Sequence, residues 1–102
     1  MAYESKLKNP ELDELFEAMK TLRTTEEYYR FFEDICTVAE LKAIAQRLQV
    51  AKMLSEEKTY MEIEARTKAS TATISRINKC VGYGADGYKL VLERMSREKK
   101  NK

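Results

Sequence analysis

Thr59-Tyr60-Met61-Glu62-Ile63-Glu64-Ala65-Arg66-Thr67-Lys68-Ala69-Ser70-Thr71-Ala72-Thr73-Ile74-Ser75-Arg76-Ile77-Asn78-Lys79-Cys80-Val81 is the stretch on which the fold turns. Thr59 and Glu62 have capping-box spacing, in which each side chain accepts from the other residue's backbone N–H. They predict a short helix from Tyr60 to about Thr67. Ser70 can cap a second over about 71–81. Two short helices joined by a tight turn outline a helix-turn-helix. At about 100° per residue, Ile74, Ile77 and Val81 share one side of the second helix. Ala72, Ser75, Arg76 and Lys79 share the other. Ile63 and Ala69 are spaced to pack beneath Ile74 and Ile77. A small or basic outward side suits entry into a major groove. Lys68 stands where such turns usually have Gly, so it either takes positive φ or the turn bends differently. Glu62 and Glu64 place acids on the first helix, whose start faces a phosphate in such motifs. They favour the opposing reading, an all-α dimeric protein-interaction module without DNA binding.

Upstream, the helix starts are equally legible. Asn9-Pro10-Glu11 supplies an N-cap, a Pro at the first helical position and a first-turn acid. Leu12, Leu15, Phe16 and Met19 follow at helical spacing. Thr24 with Glu27, and Thr37 with Glu40, repeat the capping box. Tyr28, Phe31, Phe32 and Ile35 form the stripe after the first of these. Leu41, Ile44, Ala45, Leu48 and Ala51 form the stripe after the second, on a helix with no breaker before about Glu56. Downstream, Gly82, Gly84 and Gly87 predict a loop over 82–87. A last helix carries Tyr88, Val91, Leu92 and Met95, and the polar tail is expected to fray. No strand alternation and no internal repeat is present.

The chain has 102 residues, enough for one domain that buries roughly two thirds of its unfolded surface. Hydrophobic residues at 43% exclude a disordered tail. The absence of His removes Ser-His and Cys-His catalysis and imidazole metal ligation. Two cysteines, Cys36 and Cys80, make neither a disulfide framework nor a four-Cys zinc site, and they fit a reducing cytoplasm. Both read as packing residues. No apolar run reaches the ~20 residues of a membrane span, and the N-terminus lacks the apolar core of a signal peptide. Asp13, Glu14 and Glu17 form a charged helix face without a pocket signature, so no catalytic residue is expected.

Net charge is only +2, but it is unevenly distributed. Residues 1–55 carry 8 basic and 10 acidic side chains, and residues 56–102 carry 11 and 7. Arg66, Lys68, Arg76 and Lys79 lie between Ala65 and Ala85 with no acid among them. Phosphate contact needs such a local field, not a large total.

Ala72-Thr73-Ile74-Ser75-Arg76 after a Thr-Tyr-Met-Glu-Ile helix start resembles the reading segment of the Trp repressor. Ala45-Gln46-Arg47-Leu48-Gln49-Val50 is similar to that family's central helix. Tyr29-Arg30-Phe31-Phe32-Glu33-Asp34-Ile35-Cys36-Thr37 and Tyr83-Gly84-Ala85-Asp86-Gly87-Tyr88 resemble the YerC/YecD branch of Trp-repressor-like proteins. The resemblance covers about residues 7–97. It implies an all-α fold of about six helices and an intertwined homodimer. Aromatic residues on two sides of one helix, at Tyr28, Tyr29, Phe31 and Phe32, agree with a dimer that buries both sides. The resemblance also places Arg47 and Arg76 where the repressor's two arginines sandwich tryptophan. Ile77 and Cys80 stand where the repressor has Gly and Ser. A branched side chain would fill part of the pocket, and a thiol is a poor partner for an ammonium group.

The expectation is therefore one domain over 1–102: dimerisation helices at 7–55, a helix-turn-helix at 59–81, a C-terminal helix at 82–97 and a frayed tail at 98–102. Its function would be cytoplasmic, sequence-specific binding of double-stranded DNA as a repressor-like transcriptional regulator. Thr71, Ala72 and Ser75 would meet base edges, and Lys68, Arg76 and Lys79 would bind phosphates. Arg47 and Arg76 form the possible ligand pocket. No metal or cofactor is required, and L-tryptophan or another small effector is a secondary possibility.

Overall fold

The computed structural model describes residues 3–100. Six helices and no strand occur among them, so the fold is all-α. Contacts divide the chain into two units, one ending at Val38 and the other starting at Ala39.

The first unit holds α1 (Pro10–Lys20) and α2 (Thr25–Ile35). Asn9 Oδ1 accepts from the Leu12 N–H at 2.8 Å, and Pro10 follows the cap. Thr24 and Glu27 form the expected box, at 3.2 and 3.4 Å. On α2, Phe32 stacks against Tyr28 with centroids 6.5 Å apart and meets Phe31 edge-on at 5.3 Å. Yet neither helix contains a buried residue. Phe16 is 52% exposed and Tyr29 65%.

The second unit carries α3 (Val38–Ser55) from its second residue onward, with α4 (Tyr60–Thr67), α5 (Thr71–Tyr83) and α6 (Gly87–Lys100). The 18 residues of α3 rise about 27 Å. Val50, Ala51 and Met53 on α3, Ile63 on α4, Ala69 in the turn, and Ile74 and Ile77 on α5 form the core. Leu54, Tyr60, Val81, Tyr88 and Leu92 pack around it. Val50, Ile63 and Ile74 are fully buried, each contributing about 1.5–3 kcal/mol of apolar transfer.

Three sequence expectations need correction here. Of the α3 stripe, only Ala51 is buried, while Ile44 stays half-exposed. Apolar residues occur all around α3, so spacing alone selects no face, and this unit's core reaches only its C-terminal half. The helix expected to stop before Gly82 runs on to Tyr83, because Gly82 lacks positive φ and simply continues it. Gly84 ends it: a Cβ there would lie 2.4 Å from the Cys80 carbonyl oxygen. The last helix spans Gly87–Lys100, not 82–97. Asp86, at φ 65°, turns the chain just before it, and the Leu90 N–H bonds the Asp86 carbonyl at 3.0 Å. Residues 98–100 continue the helix because Glu and Lys are good helix formers. Asn101 and Lys102 of the expected frayed tail lie outside the described residues. Among the described residues, no helix is long and apolar enough to cross a membrane.

Candidate nucleic-acid interface

The site is built on the turn between α4 and α5. Thr59 accepts from the Glu62 N–H at 3.2 Å, and Glu62 accepts from the Thr59 N–H at 3.1 Å. That contact gives one of the two opposing acids a local job, fixing the start of α4. At the other end, Lys68 takes φ 65° and ψ 11°, so the turn uses the left-handed conformation without a glycine. Two backbone donors of the turn find partners. Lys68 donates to the Glu64 carbonyl at 2.9 Å, and Ala69 to the Thr67 hydroxyl at 3.2 Å. The Thr67 hydroxyl in turn donates to the Ile63 carbonyl at 2.8 Å. Ala69 is 2% exposed, so a larger side chain there would have to displace the core.

Ser70 caps α5 by accepting from the Thr73 N–H at 3.2 Å. From there the helix has two faces. Ile74 and Ile77 go into the core, at 0% and 4% exposure. Lys68, Thr71, Ala72, Ser75, Arg76 and Lys79 are all exposed, as the sequence expected, along one basic, acid-free run.

Sequence reasoning missed two positioning contacts. Glu64 accepts from the Thr71 hydroxyl at 3.2 Å, which ties the first residue of α5 to α4. Gln46 of α3 donates its amide to the Thr67 carbonyl at 3.0 Å, anchoring the residue just before the left-handed turn. Neither has a sequence signature, because a long-range side-chain contact leaves no periodic trace. A third contact, Asn78 amide to Tyr60 hydroxyl at 3.3 Å, joins the two helices further along.

Arg47 lies on α3 and Arg76 on α5, both exposed. Ile77 is a core residue rather than a rim group. Cys80, expected to pack, is exposed, and Cys36 is half-buried; both are free thiols. On α5 Cys80 falls between the core side and the outward side, so helical spacing left its burial open. No group of three or more His, Cys, Asp or Glu suited to a metal occurs among the described residues.

Two short helices about a tight turn, inside an all-α chain with a long helix before them, define the helix-turn-helix class. Residues 10–96 match the Trp repressor protein family, and the chain belongs to that family, in its YerC/YecD branch. The chain is 52% identical over 90 residues to a Bacillus subtilis (strain 168) protein called uncharacterized protein YerC, covering 88% of this chain and 86% of that one. Its structure resembles that of a TrpR-like protein from Eubacterium eligens, with a TM-score of 0.86 and 49% identity, over 89% of this chain and 94% of the other. A Staphylococcus aureus protein proposed to be a Trp repressor gives a TM-score of 0.85 and 50% identity, over 89% and 91%.

Proposed function

We propose that this protein is a homodimeric, sequence-specific DNA-binding transcriptional regulator, working in the cytoplasm. The observation that carries the reading is the division of α5. Its core face holds Ile74 and Ile77 fixed, while Thr71, Ala72, Ser75, Arg76 and Lys79 project from a helix without acids. Membership of the Trp repressor family supports the same reading. In it, α5 enters the major groove. The hydroxyls of Thr71 and Ser75 and the methyl of Ala72 meet base edges, giving modest discrimination. Lys68, Arg76 and Lys79 hold phosphates and fix the register. A twofold dimer then reads a palindromic site with half-sites about one helical turn apart.

The dimer rests on the exposed apolar residues of α1, α2 and the start of α3. Phe16, Tyr29, Ile35 and Val38 of the first unit are each at least half exposed, apolar surface that a second copy would cover. DNA binding in this reading requires no cofactor. Arg47 and Arg76 remain the candidate pair for a planar effector such as L-tryptophan, which calorimetric titration would detect.

The test is a gel shift over pooled genomic fragments at low and at moderate salt. A shifted subset that weakens steeply with salt is expected. Absence of any shifted fragment at low salt would overturn the reading in favour of a protein-interaction module.

A further inference from the structure

A second basic surface lies apart from the outward side of α5. The flank of α3 and the end of α4 enclose an open cleft of about 370 Å³, floored by buried Met53. Lys42 and Lys52 of α3, Lys58 of the connecting loop and Arg66 of α4 line it, against one carboxylate, Glu56. The cleft therefore carries a net charge of +3 from its lining (four cations less one acid). Among the described residues, none of these four cationic side chains takes part in an ion pair. Elsewhere Lys8, Lys20, Arg30, Lys89 and Arg97 each sit against an acid a few residues away. Among the described residues Arg47, Lys68, Arg76 and Lys79 are also without an ion pair, so what sets the four cleft cations apart is their gathering in one concavity.

Helix dipoles account for part of this collection. Lys52 and Arg66 stand in the last turns of α3 and α4, where cations are favoured. The same reasoning does not extend to Lys42, near the beginning of α3, or to Lys58, which is in no helix. Like charges gathered in one concavity repel, and a bound anion relieves that repulsion. The Gln49 side-chain amide, also on the cleft wall, can donate alongside the cations.

We infer that the α3–α4 cleft is a binding site for a small polyanion bearing at least two phosphate or carboxylate groups. Its volume lies near the lower end for small-molecule sites, which fits a compact ligand. Occupancy has a route to the helix-turn-helix. Gln46 and Thr67 both line the cleft, and their 3.0 Å bond holds the residue next to the Lys68 turn.

The test is a calorimetric titration of the full chain with pyrophosphate and, separately, citrate, at constant ionic strength and without DNA. Amide NMR shifts are followed in parallel. Saturable binding of at least one anion is expected, with shifts centred on Gln49, Lys58 and Thr67. Phosphate and carboxylate preference is read from which anion binds tighter. Lys42→Gln with Lys58→Gln should weaken it about fivefold to tenfold, the sum of two exposed charge contacts. Lys20→Gln, on α1, should leave it unchanged within about twofold. Failure of both anions to saturate would overturn the inference, as would binding indifferent to the Lys42 and Lys58 changes. Either outcome is independent of the gel shift, since the titration contains no DNA.

Discussion

Lys68→Gly should stabilise the fold while weakening DNA binding, a combination that few single changes produce. Lys68 sits at φ 65°, where an L residue costs roughly 1–2 kcal/mol that glycine does not. Glycine gives back roughly 0.5–1 kcal/mol through the greater freedom of its unfolded chain. The balance is a gain of about 0.5 kcal/mol, or about 2–4 °C in Tm for a domain of this size. The Lys68 side chain is exposed and makes no described ion pair. Its charge at the C-terminal end of α4 is itself favourable by roughly 0.3–1 kcal/mol at low salt, so the gain is read at high salt, where that contribution is screened. On DNA the change removes one phosphate contact per protomer. For a dimer the slope of log K against log salt should fall in magnitude by about 1.8. Between about 50 and 200 mM salt, the wild type should then lose about twelvefold more affinity than the variant. Lys68→Ala separates the two effects, since it shares the binding loss but keeps the backbone cost. Thermal unfolding and salt-dependent anisotropy on one operator fragment measure both. A lower Tm for Lys68→Gly than for wild type at high salt would refute the conformational argument. An unchanged salt slope would refute the placement of Lys68 against phosphate.

The remaining expectations concern the same unit. Lys79→Ala should weaken binding to all sequences and flatten the salt dependence, whereas Ser75→Ala should mainly change base preference in a selection from random sites. Ile74→Ala empties a fully buried position and should cost about 2–5 kcal/mol, seen as a lower denaturant midpoint with little change in m. Gly84→Ala would press its Cβ against the Cys80 carbonyl and should lower stability by about 1–3 kcal/mol, by the same measurement. Glu64→Gln keeps an acceptor for Thr71 but removes a negative charge beside α5; it should tighten binding to non-specific DNA, and weaker binding there would show that the carboxylate is needed.

What could be read from the sequence was local chemistry. Asn9, Thr24, Thr59 and Ser70 each cap a helix by contacting a backbone N–H three residues on, so both partners lie within one turn. The core face of α5 was legible for a similar reason: Ile74, Ile77 and Val81 are its only large aliphatic residues, and they share one side. The outward residues followed by subtraction. Helix ends were less legible. Gly82 looks like a breaker, but a glycine breaks a helix only when its backbone leaves the helical region, and this one does not. Residues Val50 and Met53 were missed on α3 because their burial depends on where α4 and α5 pack, not on the neighbours of α3 in sequence. Gln46 and Glu64 were missed because their partners, Thr67 and Thr71, are set by the turn.

The bare apolar faces of α1 and α2 bear on abundance. A helix pair with no buried residue of its own gains little from folding alone. In a dimer that covers those faces, folding and assembly become one equilibrium, and the midpoint of unfolding rises with protein concentration. The amount of competent regulator then grows faster than the amount of chain synthesised. At low copy number α1 and α2 would be the part of the chain open to proteolysis, while the second unit keeps its own core. The cell's supply of this protein would thus grade the protected share of those two helices, by how much of Phe16, Tyr29 and Ile35 a second copy conceals.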